Sequence, residues 1–245
     1  LATMMMTMEM MRPKVCDPIL ENRSRIEETL LRIPTPSSDD LKLAASTISP
    51  ESLKEARGAI EARSCKFLTK LDILERGLDK VRTFQDAKKF SCALAMYQLA
   101  YLPTKPETCP FCVQHSGGNR CEGCGYAKTH GGRCDKDTSA FAQFIEAIYD
   151  LAGAIHSIQD EGENKGADPL DLDLAKKSLQ ESIYTSREAT MRFISDISND
   201  STYELMETKA RYIGEILQAM PLELMNSKDA KLAHLRSYEK LERYW

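Results

Sequence analysis

The chain has 245 residues, 42% of them hydrophobic and 29% charged, with a formal net charge of −4. That length allows one large domain or two small ones with a sizeable core. The acidic balance excludes a broad electrostatic pull toward nucleic acid or an anionic membrane. No run of about 18 apolar residues occurs, so no transmembrane helix is expected.

At the start, Leu1-Ala2-Thr3 precedes a methionine-rich stretch from Met4 to Met11. It lacks the basic start and continuous apolar core of a signal peptide. It reads as a literally translated alternative start codon or an over-extended frame, with a disordered segment over residues 1–14. Pro18 to Ile33 follows as a first helix, carrying Ile19, Ile26, Leu30 and Ile33 at three- and four-residue steps. Pro34-Thr35-Pro36 stops it, because proline removes a donor and restricts its predecessor. Ser38 is expected to cap a short helix to about Ser46.

Ser49-Pro50-Glu51 is a helix start, since serine accepts an orphan amide and proline suits the first helical position. A long seam follows through Leu53, Ala56, Ile60, Phe67, Leu71, Leu74, Leu78 and Val81, interrupted at Arg63 and Ser64. About 30 helical residues would span roughly 45 Å. Phe84 to Leu102 is the next helix, with Phe90, Leu94, Tyr97 and Tyr101 on its apolar side, and Pro103 and Pro106 end it. Cys65 and Cys92 fall within these helices and read as buried small apolar residues.

Beyond the cysteine-rich middle, Asp137, Thr138 or Ser139 caps a helix to about Gln159, with a stripe of Phe141, Ile145, Ile148, Ala152 and Ile155. His156 on this helix reads as a partly buried, satisfied histidine. Asp160 to Ala167 is polar and glycine-containing and reads as a loop. Asp168-Pro169 opens a helix to about Ser198, along Leu172, Ala175, Leu179, Ile183, Phe193 and Ile197. Asp171 and Asp173 suit its first turn through the helix dipole. Asp200 or Ser201 starts a helix to Met220, stopped by Pro221. Ser227 or Lys228 starts the last one, which ends near Trp245.

Five of the eight cysteines lie between Cys109 and Cys134. Without a secretion signal the expected compartment is the reducing cytoplasm, where clustered thiols point to metal rather than to disulfides. Cys109-Pro110-Phe111-Cys112 and Cys121-Glu122-Gly123-Cys124 are two pairs with two residues inside each, joined through Ser116-Gly117-Gly118-Asn119. A two-residue gap lets a tight turn aim both sulfurs at one ion. Pro110 pre-shapes the first turn. Gly125 after Cys124 supplies the backbone freedom such turns often need. Cys109, Cys112, Cys121 and Cys124 are therefore the expected ligands, with Cys134 and His130 as alternates. Four thiolates suit structural zinc, and an iron–sulfur cluster is the alternative with the same donor set. A bound ion would contribute on the order of 10 kcal/mol to ordering the loop. His115, beside the glycine-rich link, is expected to be exposed.

Cys121-Glu122-Gly123-Cys124, Thr129 and Gly131, Cys134 and the upstream Cys109/Cys112 pair resemble a cysteine motif of small uncharacterised phage and bacterial proteins. Cys124-Gly125-Tyr126 resembles a rubredoxin-type or zinc knuckle. The resemblance covers residues 108–138 and implies a metal-ligand role for the cysteines. It implies no activity, and no family is identified for the whole chain.

The remaining patterns exclude chemistry. There is no third glycine for a dinucleotide loop, no His-Glu-x-x-His pair, and no Glu-x-x-His on either side of His156 or His234. A deaminase zinc site would want His-x-Glu before the cysteine pair, and none is present. No reaction is assigned. Lys105, Arg120, Lys128, Arg133 and Lys136 outnumber Glu107, Glu122 and Asp135, which allows a phosphate contact but also compensates thiolate charge.

The expected fold is all-α: an antiparallel bundle of about seven helices with a cysteine-rich metal-binding loop inserted mid-chain. Residues 15–104 form one helical half, 105–136 the loop, and 137–245 a second half packed on the first. The expected role is an interaction or scaffold module for a protein partner or a second copy. An iron–sulfur electron-transfer or redox-sensing protein and a nucleic-acid-associated zinc protein are the alternatives.

Overall fold

Hydroxyl and carboxyl side chains set the helix boundaries. Ser37 accepts from the Asp40 amide and opens α1 (Ser38–Ser46). Ser49 does the same for the Ser52 amide at α2 (Pro50–Gly77). Thr83 with Asp86 forms a capping box at α3 (Phe84–Ala100). Two five-residue helices follow, α4 (Pro110–Gln114) and α5 (Gly125–Thr129), neither with a side-chain cap. Ser139 accepts from the Ala142 amide (3.0 Å) beside the start of α6 (Ala140–Asp160). Asp171 opens α7 (Leu172–Asp196), and Ser201 with Glu204 opens α8 (Thr202–Gln218). Ser227 opens α9 (Lys228–Leu241). Each such cap contributes about 1 kcal/mol by satisfying an orphan amide.

The computed structural model describes residues 35–115, 121, 123–160 and 171–245. Among the described residues the chain is all-helical, with nine α-helices, three short 3-10 segments and no strand. The sequence pattern predicts about seven helices. The additional ones are α4 and α5, which form inside the cysteine-rich connection where no amphipathic period is long enough to be read. The predicted helix Pro18–Ile33, the N-terminal segment 1–14, the Ser116–Asn119 link, the loop over 161–167 and the Asp168-Pro169 start lie outside the described residues.

Residues from Thr35 to Trp245 make one compact unit. Helix α6 packs on α9, α2 on α7, α7 on α8, and α3 on both α6 and α7; α1 rests on α5 and α8. The core is continuous across these contacts, through Ile60, Phe67, Leu71, Leu94, Phe144, Leu151, Ile155, Leu179, Ile213 and Ile216. No helix is long and apolar enough to cross a membrane among the described residues.

Several local expectations change. The α1 cap is Ser37 rather than Ser38. Helix α2 ends at Gly77 and tightens into a 3-10 turn over Leu78–Lys80, leaving Val81 extended but buried. The break in its seam has a use. Arg63 donates from Nε to the Leu102 and Tyr101 carbonyls (3.0 and 3.3 Å) and from Nη2 to that of Ala100. A guanidinium there satisfies the unpaired carbonyls at the end of α3. On α3 the small face of Ala87, Ser91, Cys92 and Ala95 is buried, while Tyr97 is exposed. The buried stripe of α6 is wider than read, adding Phe144, Ala147, Leu151 and Ile158. Cys92 is buried as expected, but Cys65 is exposed on the outer face of α2. His156 is exposed, because its position on α6 points away from the stripe through Ile155 and Ile158.

Candidate metal centre

The cysteine-rich connection is held from four sides. On α4, the Gln114 side chain accepts from the Ser49 amide (3.2 Å) and the Ser52 hydroxyl (2.7 Å), and so clamps the junction of α1 and α2. Helix α5 lies against α1 so closely that a Cβ at Gly125 would sit 2.8 Å from the Ala44 Cβ and 3.0 Å from its Cα. Tyr126 donates to the Tyr244 carbonyl (2.8 Å), tying α5 to the chain end beyond α9. Lys209 of α8 donates from Nζ to the Thr108 carbonyl (2.7 Å), immediately before Cys109.

Gly125 therefore has a different reason from the one its position suggests. It sits at the first position of α5 in ordinary helical geometry, and packing excludes its side chain. Backbone freedom is used instead by Gly123, with φ of +86° inside the second cysteine pair, and by Gly131 and Gly132, at +81° and +138°.

These anchors aim the thiols inward. Cys109 immediately precedes α4, Cys112 lies within it, and Cys134 follows in the turn after His130. Cys109, Cys112 and Cys134 line one small cavity of about 70 Å³, together with Lys209, Tyr126, Tyr244, Phe141 and Met206. The neighbouring Cys112 thiol and burial push the Cys109 thiol well up, while the Lys209 charge and the Cys112 amide oppose the shift. The Cys109 thiol lowers Cys112, but the Cys134 thiol and burial outweigh it, so Cys112 is pushed up to about 12. Burial also raises buried Cys124, which feels Cys109 and Cys121 and is steadied by the Ala127 and Tyr126 amides. Amides that favour an anionic sulfur are the usual setting of a metal-binding turn.

Lys209 is the residue that the motif reading missed. It is fully buried. Burial lowers its pKa, and the charges that oppose this come from Cys109, Cys112 and Cys134. Its Nζ also lies 5.8 Å from the centre of the Tyr244 ring. A signal was available: Lys209 falls between Leu205 and Met206 on one side and Tyr212 and Ile213 on the other, on the apolar stripe of α8.

Of the second expected pair, Cys121 is half-buried, with its carbonyl accepting from the Cys124 amide (3.3 Å), and Cys124 is buried; neither is among the residues lining the cavity. His130 is buried and stacked on Tyr126, with ring centres 3.9 Å apart and planes within 2°. Its Nδ1 lies 2.7 Å from the Thr129 hydroxyl and 3.1 Å from the Tyr126 carbonyl, and its Nε2 has no partner among the described residues. Burial holds its pKa down at about 4. Trp245 closes over the same rings, 5.6 Å from His130 and 6.2 Å from Tyr126. His115 is half-buried rather than exposed, and its Nε2 also lacks a partner among the described residues. Of the basic residues, Arg133 pairs with Asp135 through two bonds (3.0 and 2.6 Å), which removes part of the local positive excess. Arg120 lies outside the described residues.

Among the described residues, no group of three or more His, Cys, Asp or Glu side chains has the arrangement of a ready metal site. Cys109, Cys112 and Cys134 nevertheless share the lining of one cavity. The chain matches no family model, no curated protein and no solved structure.

Proposed function

We propose that this chain is a metal-binding helical protein, an antiparallel bundle whose cysteine-rich connection is fixed by a structural zinc ion. Cys109, Cys112 and Cys134 would hold the ion, with Cys124 as the fourth donor. The connection then serves as a rigid surface for a protein partner or a second copy of the chain.

The observation that carries this reading is the cavity shared by three thiols and a buried ammonium. Burying a lysine without an acidic partner is costly. No ion pair of Lys209 with a carboxylate is found among the described residues, and the anion-forming groups around it are thiols. Neutral thiols leave that charge uncompensated. Four thiolates outweigh the two charges of zinc, and an ammonium offsets part of the excess. The same donor set also suits an iron–sulfur cluster.

Metal analysis of anaerobically purified protein tests the proposal. One equivalent of zinc in colourless wild type, lost in Cys112→Ser, is the expected result. A brown protein with iron and sulfide would replace zinc by a cluster. Unchanged metal content in Cys112→Ser would remove these ligands from the account.

A further inference from the structure

Helices α2 and α3 carry a ladder of aromatic rings that runs outward from the core. Phe67 is buried, Tyr101 is half-buried and Tyr97 is 36% exposed. Phe67 stacks on Tyr101 with ring centres 5.6 Å apart and planes within 20°, and Tyr101 stacks on Tyr97 at 6.4 Å and 24°. Basic groups flank the rings. The Arg63 guanidinium lies 5.6 Å from the centre of Tyr101, and Lys70 Nζ lies 5.9 Å from that of Tyr97. Arg63, Lys66 and Lys70 follow one face of α2 at three- and four-residue steps, and Lys89 precedes Tyr97 on α3 by about two turns. Lys66 and Lys89 are exposed. Among the described residues, none of these four cations pairs with a carboxylate. Nearby acids are engaged elsewhere: Asp72 and Glu75 hold Arg187 of α7, and Asp86 closes the capping box of α3. Residues 50–102 carry ten basic and seven acidic side chains, so positive charge is segregated here within a chain of net charge −4.

We propose that this surface binds single-stranded nucleic acid, with Tyr97 as the stacking ring for an unpaired base and Lys66, Lys70 and Lys89 as contacts to its phosphates. The proposal does not rest on the metal reading, since every residue in it belongs to α2 or α3. A base offers a planar face to Tyr97, and the rings beneath already hold Tyr97 in place, so little side-chain freedom is lost on stacking. The base takes the position of Lys70 over the ring, and the flexible stem of Lys70 turns its ammonium to a phosphate. Lys66 and Lys70 lie about 6 Å apart along α2, close enough to meet one backbone. An unpaired strand is favoured over a duplex because paired, stacked bases present no free face to a ring. It is favoured over an acidic peptide because that ligand would use the cations and leave Tyr97 without a partner.

The test uses the full chain and a fluorescein-labelled oligo-dT strand, followed by fluorescence anisotropy from low to moderate salt. The expected result is binding with a Kd of about 10⁻⁶ to 10⁻⁴ M, and a slope of log K against log salt of about −2 for three phosphate contacts. Tyr97→Ala should weaken binding about tenfold, while Tyr97→Phe, which keeps the ring, should bind like wild type. Lys66→Gln combined with Lys70→Gln should flatten the slope to about −0.7. Should Tyr97→Ala lose helical content, Tyr97→Leu, apolar but without a π-face, takes its place with the same expected loss. No binding at low salt overturns the proposal. So does undiminished binding by Tyr97→Ala or Tyr97→Leu, or equal affinity for heparin or for a duplex of the same length, because the surface would then attract polyanions without stacking. Binding lost only in a Lys105→Gln, Lys128→Gln and Lys136→Gln triple variant overturns it as well, since the contact would then lie on the cysteine-rich connection.

Discussion

The helical body and the cysteine-rich connection are ordered by different means. In the body, helices of 9 to 28 residues bury apolar stripes and begin at side-chain caps, as α2 and α9 do. In the connection, α4 and α5 have five residues each and no cap. An isolated helix that short is far below the length that sustains itself in water. Its order comes from tertiary contacts: Gln114 reaching out to the α1–α2 junction, and Lys209 from α8 and Tyr244 and Trp245 from the chain end reaching in. The body is stabilised by area buried, and the connection by a few convergent polar groups and thiols.

The largest blow to the body is predicted from Phe144→Ala. Phe144 is fully buried on α6 and meets Tyr244 edge-on at 5.6 Å. Its truncation should cost about 3–5 kcal/mol, read as a fall in the denaturant midpoint with little change in slope. A loss below about 1 kcal/mol would mean that this core does not carry the fold.

Next comes acid. His130 has an ordinary value of 6.5 and a folded value of about 4, through burial. Between those values the unfolded chain binds the proton that the folded chain refuses. Stability is therefore fully present above 6.5 and falls as pH drops toward 4, by at most about 3 kcal/mol. Denaturant curves across that window should show His130→Phe losing most of this pH slope. An unchanged slope would place the acid sensitivity elsewhere.

Gly125→Ala probes the joint between the two regions. Its new methyl group meets the Ala44 backbone, which cannot rotate away, so a cost of about 1–3 kcal/mol is expected. The displacement should also disturb the fluorescence of Trp245, the only tryptophan of the chain. A neutral thermal melt would show that α1 and α5 separate easily.

The smallest effect sharpens the contrast rather than breaking it. Lys209→Met removes the ammonium from the thiol cavity and should weaken zinc binding by about tenfold or more, as loss of a supporting group around a metal does. Helical content should be retained. Equal affinity in a competition titration would make Lys209 a packing residue alone.

The two regions were also unequally legible in the sequence. Body helices followed from Ser49-Pro50, Ser201 and Ser227, and from stripes such as Leu179, Ile183 and Phe193. Periodicity gave helix type well but face less well: Tyr97 and Leu94 fall on the same expected apolar side of α3, and only tertiary packing decides that Tyr97 is exposed. The cysteine spacing singled out Cys109, Cys112, Cys121 and Cys124, whereas the cavity gathers Cys109, Cys112 and Cys134. Spacing is local, and the position of Cys134 depends on where α5 docks on α1. Lys209, 75 residues further along the chain from Cys134, reaches the cavity through helix packing that no motif encodes.

Metal content of two single variants tests the central claim most directly. Cys134→Ser should lose the bound zinc, while Cys121→Ser should keep close to one equivalent, each measured by elemental analysis on folded, monodisperse protein. Retention by Cys134→Ser with loss in Cys121→Ser would contradict the cavity as the site and return the metal to the sequence-adjacent pairs.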